Sequence, residues 1–251
     1  MAPPAPPAMM SSLRMTSAVV AALTGVAVAC ALGSWQLRRA AEKVAIEQAW
    51  DAARNAAPLD VRGAPDLAAV ATQLPRRVRV RGWFEHEHSV WLDNRPLDGR
   101  AGFLVVTPLR LDGARARVLV NRGWAPRDPV QRTHLPPIGR PEGLVEIEGI
   151  AVQGVPRVFQ FTGADVGKIR QNLNADELRA EIGAPLAGFV LQQTSALDDS
   201  LDRRWIPPAT GVDRHRGYAF QWFALAALLG VIAIGLAWRA ISRRRTVEGG
   251  A

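Results

Sequence analysis

Histidine is the most versatile acid–base and metal-binding side chain near neutral pH, and this 251-residue chain contains four of them. His86 and His88 stand two residues apart, where an extended strand would place both imidazoles on one face. A metal site needs at least three protein ligands, and His134 is the only further histidine in this part of the chain. Residues 85–88 therefore predict either a solvated polar strand end or, with a carboxylate added, the metal site of a metallohydrolase.

His215 stands in a different setting, at the start of the second of two long apolar segments. At helical spacing it shares a face with Tyr218, Ala219 and Trp222. The aromatic residues are typical of a membrane–water interface, where the histidine ring could also lie with its polar edge among the headgroups. A neutral imidazole that faces a partner helix could instead serve as an axial ligand of haem iron. The residues alone leave both interpretations of His215 open.

The elements that must position His215 are the apolar segments 15–37 and 217–238. A helix needs about 20 apolar residues to cross a bilayer, and both segments reach that length. The first is longer than the apolar core of a signal peptide, although residues 27–29 keep cleavage open. We predict two transmembrane helices, at residues 15–37 and 217–238, and an extracytoplasmic domain between them at 38–216. Residues 1–14 form a cytoplasmic N-terminal tail and residues 239–251 a basic cytoplasmic tail.

Small residues recur at every fourth position of both apolar segments. They are Ala21, Gly25, Ala29 and Gly33 in the first segment, and Ala226 and Gly230 in the second. Such a stripe lets a second helix approach closely. An alanine-rich composition could also produce these stripes by chance, but we favour two retained helices that pack as a hairpin.

The orientation of the hairpin follows from charge. The C-terminal cluster of Arg239, Arg243, Arg244 and Arg245 is predicted to stay in the cytoplasm by the positive-inside rule. Two crossings then place the N-terminus on the same side and the middle domain outside. Charges beside the first segment oppose this orientation, but long translocated domains are largely exempt from the rule. The Pro-rich N-terminus lacks the pattern of a mitochondrial transit peptide, so we predict a bacterial inner membrane.

Composition excludes several classes of function. The formal net charge is +8, but the basic residues are spread along the chain and only Lys43 and Lys168 are lysines, which fits a genome bias towards Arg. We predict no nucleic-acid partner, and we predict contact between the basic tail and anionic lipid. The single cysteine is Cys30, and no methionine follows Met15, so the middle domain lacks the soft ligands of a copper chaperone.

The middle domain is predicted to be α+β, with mainly antiparallel strands and one or more helices. Alternating and β-branched residues predict strands at 77–84, 89–92, 103–111, 117–121, 144–152 and 189–193. Asp112 and Gly113 predict a hairpin turn between the third and fourth of these. Residues 165–182 predict a helix, and residues 44–71 a helical or loose segment. The sequence contains neither a Gly-x-Ser-x-Gly nor a His-Glu-x-x-His motif, so no enzyme activity is predicted.

Five motifs, in this order and within a two-helix frame, resemble the Surfeit locus protein 1 family of cytochrome c oxidase assembly factors. They lie at residues 33–39 (GSWQLRR), 82–84 (GWF), 102–109 (GFLVVTPL), 118–124 (VLVNRGW) and 215–223 (HRGYAFQWF). The resemblance runs from the first apolar segment to the second.

The resemblance implies a non-enzymatic assembly protein that helps haem a reach subunit I of the oxidase. It implies haem a as a transiently bound cofactor and His215 as its axial ligand. It further implies that the haem surroundings include Trp35, Gln36, Arg39, Tyr218, Gln221 and Trp222. The partners expected on this basis are subunit I, haem a synthase and the lipid bilayer. A scaffold that stabilises oxidase subunits without binding haem is the alternative.

Overall fold

A computed structural model describes residues 8–159, 167–205 and 211–248, with side chains described for 14–159, 167–205 and 211–242. The chain divides into a helical unit, residues 1–48 with 208–251, and a β unit, residues 49–207. The helices are α1 (Ala8–Asn55), α2 (Ala64–Ala71), α3 (Ala175–Ile182) and α4 (Val212–Glu248). The strands are β1 (Leu59–Val61), β2 (Arg76–Phe84), β3 (Val90–Leu92), β4 (Gly102–Leu111), β5 (Arg117–Pro126), β6 (Val145–Val152), β7 (Ile169–Arg170) and β8 (Leu186–Gln193).

Both terminal helices are much longer than the apolar segments inside them. With 48 residues in α1 and 37 in α4, a rise of 1.5 Å per residue gives lengths of about 72 and 55 Å, against a bilayer core of about 30 Å. After the apolar segment α1 continues through a charged stretch, where Arg39 pairs with Glu42 at 2.8 Å. The predicted spans therefore form the central parts of continuous helices.

The two helices of the helical unit pack as an antiparallel pair through small side chains. The contact face is lined by buried alanines: Ala22, Ala29 and Ala40 on α1, and Ala219, Ala226 and Ala233 on α4. A Cβ atom added at Gly33 would lie 2.9 Å from Cζ of Phe223, and one at Gly25 would lie 2.9 Å from Cδ1 of Leu229. Residue numbers rise along α1 as they fall along α4, which defines the antiparallel arrangement.

The predicted small-residue stripe is correct in part. Gly25, Ala29 and Gly33 face α4, but Ala21 is exposed and its neighbour Ala22 is buried instead. A Cβ atom at Gly230 would meet open space, so this residue lies off the contact. The buried alanines of α4 recur every seven residues, which is the spacing of a left-handed helix pair and not of a strict four-residue stripe.

The outer faces of both helices expose large apolar side chains, among them Val20, Leu23, Phe220, Val231 and Ile234. Within the described residues, the most apolar 18-residue window is only 6 % buried in α1 and 17 % buried in α4. A core helix of a water-soluble protein would be mostly buried. These helices are compatible with a two-pass membrane protein.

The β unit is a mixed sheet whose pairings close into a ring. β2 pairs with β6, β6 with β8, β8 with β5, β5 with β4, and β4 returns to β2. Closure requires a close backbone approach at Gly82, where an added Cβ atom would clash with the carbonyl oxygen of Arg110. The pairings β1–β2, β3–β7 and β5–β8 are parallel and the others are antiparallel, so the domain is α+β with a mixed sheet.

The hydrophobic core fills the ring and continues outside it. Inward-facing apolar residues of the ring strands, including Val78, Leu109 and Ile147, pack with Leu67 and Val70 of α2. On the outer face of β4 and β5 a second cluster is covered by Leu178 of α3. The alternation of Val and Arg in β2 produces its half-buried character, because every second residue points into the core.

All six predicted strands are present, and β5 and β8 are longer than predicted. The predicted turn joins β4 to β5, with Gly113 at a φ of 72°. The predicted helix at 165–182 is wrong in its start: α3 begins at Ala175, where Asn174 accepts hydrogen bonds from the Asp176 and Glu177 amides. Residues 160–166 lie outside the described residues, and 169–170 form β7 instead of helix.

Candidate functional site

The candidate site is centred on His215, in the first turn of α4, and Gln36, on the face of α1 that packs against α4. Nδ1 of His215 lies 2.7 Å from Oε1 of Gln36. An amide oxygen can only accept a hydrogen bond, so with Gln36 assigned in this orientation Nδ1 carries the proton and donates it. In the neutral form of the ring, this tautomer leaves the lone pair on the second ring nitrogen, Nε2, where it can coordinate a metal.

Helix packing explains why these two residues meet. Gln36 lies seven positions after the buried Ala29, and His215 lies four positions before the buried Ala219, so both fall on the contact faces of their helices. At most positions where α1 and α4 contact each other the side chain is small. Gln36 and His215 are polar exceptions, and each gives the other a hydrogen-bond partner, which a polar group at such an interface needs.

The remaining predicted site residues lie on the same parts of the two helices. Trp222 is partly buried, whereas Gln221 and Tyr218 are exposed, Tyr218 to 47 %. On α1, Trp35 is also 47 % exposed, and Arg39 is exposed and hydrogen-bonds Glu42 through Nη1. The structure therefore brings His215 and Gln36 into direct contact and leaves the aromatic rings of Trp35 and Tyr218 accessible beside them.

The other histidines are arranged differently from the prediction. Residues His86–His88 form a single 3-10 turn instead of a strand, so the alternation that would align His86 with His88 is absent. Nε2 of His86 donates to the carbonyl oxygen of Pro141 at 3.0 Å, and His134 is exposed. Among the described residues no three His, Cys, Asp or Glu side chains are grouped to hold a metal ion. A solvated polar strand end was the main expectation for residues 85–88, and residues 86–88 form this turn instead.

A buried charged cluster in the β unit was not singled out from the sequence. Arg122 and Asp199 are completely buried and form an ion pair of 2.8 Å, and Arg203 shares the same carboxylate. Desolvation lowers the pKa of Arg122, against the opposing effect of Asp199. The partners stand 77 positions apart in the chain, so no local pattern could have identified the pair.

A comparison with protein-family models matches residues 23–227 to the SURF1 family, a range that includes both Gln36 and His215. The chain belongs to the SURF1 family. Proteins of the SURF1 family are generally known as cytochrome oxidase assembly factors. The resemblance of the five motifs is thus confirmed at the level of the family.

Relatives of this SURF1 family member occur in animals, other eukaryotes and bacteria. It is 28% identical to a SURF1-like protein of Drosophila melanogaster over 221 residues, which are 78% of this chain and 69% of that protein. It is 30% identical to a SURF1-like protein of Monosiga brevicollis over 221 residues, 78% of each chain. It is 26% identical to a SURF1-like protein of Rickettsia bellii over 209 residues, 80% of this chain and 83% of that protein.

Proposed function

We propose that this chain is a membrane-anchored assembly factor for a terminal haem–copper (cytochrome c) oxidase. In this proposal it is not an enzyme. It assists the delivery of haem a to subunit I, or the insertion of haem a there, and His215 is the axial ligand of the haem iron while the cargo is held. The observation that carries the proposal is the hydrogen bond from His215 Nδ1 to Gln36 Oε1, at 2.7 Å.

This hydrogen bond supports haem ligation because it fixes the tautomer and the orientation in which the His215 ring can bind iron. Metal-ligating histidines typically donate their second ring N–H to an oxygen acceptor, which fixes the tautomer and the ring orientation. Gln36 supplies that acceptor from the neighbouring helix. His215 would then meet iron with a free Nε2 lone pair and without the cost of reorienting the ring.

The surroundings of His215 also fit a large planar cargo. Haem a would supply an iron centre that accepts a nitrogen lone pair, on an apolar ring system that carries carboxylate groups. The half-exposed rings of Trp35 and Tyr218 offer flat apolar surface on the two helices. Arg39 binds Glu42 through Nη1, and its remaining guanidinium donors suit a carboxylate. Gln221 and Trp222 complete the proposed surroundings.

The location proposed for the chain is the bacterial inner membrane, crossed twice, with both termini in the cytoplasm and the β unit outside. Two long helices with exposed apolar faces support the membrane assignment. The orientation depends on the C-terminal arginines at 243–245, whose side chains lie outside the described residues. Subunit I and haem a synthase are the proposed partners, because one would receive the cargo and the other would produce it.

A haem-independent scaffold is the competing function, and oxidase composition separates the two. We would delete the gene in its host and restore it as wild type, as His215→Ala or as His134→Ala, then measure haem a per subunit I in the purified oxidase. His134→Ala is the matched control, because it removes an exposed histidine of the β unit.

The proposal expects the deletion strain and the His215→Ala strain to contain subunit I depleted of haem a, and the other two strains to contain normal haem a. Full restoration of haem content by His215→Ala would contradict the role of His215. Normal haem a per subunit I in the deletion strain, combined with loss of assembled oxidase, would favour the scaffold.

A further inference from the structure

The β unit contains a cavity of about 310 Å³ that is lined by residues between His86 and Lys168. Basic residues line one part of it, namely His86, Arg122, Arg140 and Lys168. Trp91, Ile138 and neighbouring prolines supply apolar wall. No carboxylate occurs among its described lining residues. We call this space the Arg122 cavity. Its volume lies at the lower end of the range of about 300–1,000 Å³ that is typical of small-molecule sites.

Arg122 is the residue that points to a ligand. It lines the cavity and is completely buried, yet Nε and Nη1 make no hydrogen bond within the described residues. Only Nη2 has oxygen partners, Asp199 and the carbonyl oxygen of Gly139, both at 2.8 Å. Its guanidinium also lies over the Phe84 ring, 4.9 Å from the centroid. Buried donors without partners are costly, and an anion that entered the cavity deeply enough to reach them would satisfy them.

The charge balance around Arg122 favours the same conclusion. Asp199 is shared between Arg122 and Arg203, so this buried trio keeps one uncompensated positive charge. Arg140 and Lys168 add two more from the exposed side of the cavity, and neither side chain has an ion pair among the described residues. Like charges gathered in one cleft raise the local concentration of anions.

We propose that the Arg122 cavity binds the phosphate group of an organic phosphate or phospholipid headgroup. Three separate cationic side chains suit a tetrahedral anion, which presents oxygens in several directions. The apolar wall of Trp91 and Ile138 suits the organic part attached to it. The buried contacts of Arg122 with Asp199 and Gly139 hold the guanidinium in place before the ligand arrives.

The test uses the full-length protein purified in a neutral detergent and isothermal titration calorimetry with two probes. Inorganic phosphate represents a free anion, and dihexanoyl phosphatidic acid below its micelle concentration represents a lipid headgroup. The variant is Arg140→Gln with Lys168→Gln, which leaves the buried trio intact. The control is Arg81→Gln with Arg115→Gln, which removes two exposed arginines that do not line the cavity.

We expect saturable binding of at least one probe, an affinity at least about tenfold lower in the cavity variant, and no change in the control. Binding of phosphatidic acid alone would assign the site to a lipid or another organic phosphate, and binding of both probes would assign it to the phosphate group itself. The proposal is overturned if neither probe saturates, or if the cavity variant and the control lose affinity equally. None of these outcomes depends on haem binding at His215.

Discussion

At the scale of single residues, the significance of His215 lies in its partner. An interfacial histidine with its edge in the headgroups would need no acceptor from a second helix. Gln36 supplies one across 179 positions of sequence, and the pair lies among alanines and glycines. A polar pair retained at a helix contact is costly unless both members are satisfied, and here the pairing satisfies Nδ1. The arrangement therefore favours a functional role for the His215 ring over a position at the membrane interface without a function.

The family resemblance named both residues as candidate site residues, but the hydrogen bond between them was not predicted. Both residues belong to motifs at the ends of the apolar segments, and spacing placed His215 on a helix face. The side of α1 that meets α4 could not be derived, because an alanine-rich helix offers small residues on several faces. The Arg122–Asp199 pair was beyond reach for another reason, since its partners come together only when the ring of strands closes.

A pH-dependent prediction concerns Glu148, whose carboxylate accepts hydrogen bonds from Arg79 at 2.9 Å and Arg77 at 3.0 Å. The Arg79 hydrogen bond is the main reason why the pKa of Glu148 is lowered. A lowered folded-state pKa contributes stability above the unfolded value of about 4.3, and this stability is lost as pH falls through the folded-state pKa. Glu148→Gln should therefore lower the thermal midpoint at pH 7 by about 2 °C or less, because solvent screens the charges of this ion pair.

The difference between Glu148→Gln and wild type should shrink as the pH falls below the unfolded-state value of about 4.3 and through the lower folded-state pKa, which thermal unfolding of the purified protein can follow. Glu146→Gln is the matched control, because Glu146 is 56% exposed and lies 3.5 Å from the same Arg79. It should have the smaller effect at pH 7. A Glu148→Gln difference that grows on acidification would contradict the sign of the pKa shift.

At the scale of elements, strands were easier to predict than short or irregular segments. Alternation of apolar and polar residues in β2 and β6 survives in the structure because each strand has one face in the core. β1 and β7, with three and two residues, are too short to show a period. The 3-10 turn at His86–His88 was not predicted, since four polar residues in a row carry no apolar alternation that would indicate their conformation.

The helix pair gives a prediction about register, because Ala29 and Ala226 lie between the two glycine contacts and should face one another. With Cys30 replaced by Ala, Ala29→Cys with Ala226→Cys should form a disulfide in membranes on mild oxidation. Ala21→Cys with Ala233→Cys should not, because Ala21 is exposed and its neighbour Ala22 holds the contact position at that level. Gel mobility without reductant reports the result. Equal cross-linking of both pairs would contradict the seven-residue contact face.

At the scale of the whole molecule, the chain joins two units that differ in where their apolar residues lie. The β unit buries its apolar residues within and around a closed ring of strands, whereas the helical unit exposes them. Hydropathy and length predicted this division, because each apolar segment is long and uninterrupted. Closure of the ring was not predictable, since the β2–β4 pairing involves only residues 82–84 and 109–111.

The proposed orientation can be tested by labelling. In a background with Cys30 replaced by Ala, Gly113→Cys places a thiol in the turn between β4 and β5, and Ser242→Cys places one near the end of α4. A membrane-impermeant maleimide added to intact spheroplasts should label position 113 and not position 242, and both should react after lysis. Labelling of position 242 alone in intact spheroplasts would reverse the orientation.

The central claim is that His215 holds haem a with the help of Gln36. The most direct measurement is the absorption spectrum of the purified full-length protein after co-expression with haem a synthase. We predict that wild type and His134→Ala carry a haem a spectrum, that Gln36→Leu carries less haem per protein, and that His215→Ala carries none. A haem a spectrum in His215→Ala equal in intensity and band position to wild type would contradict the account.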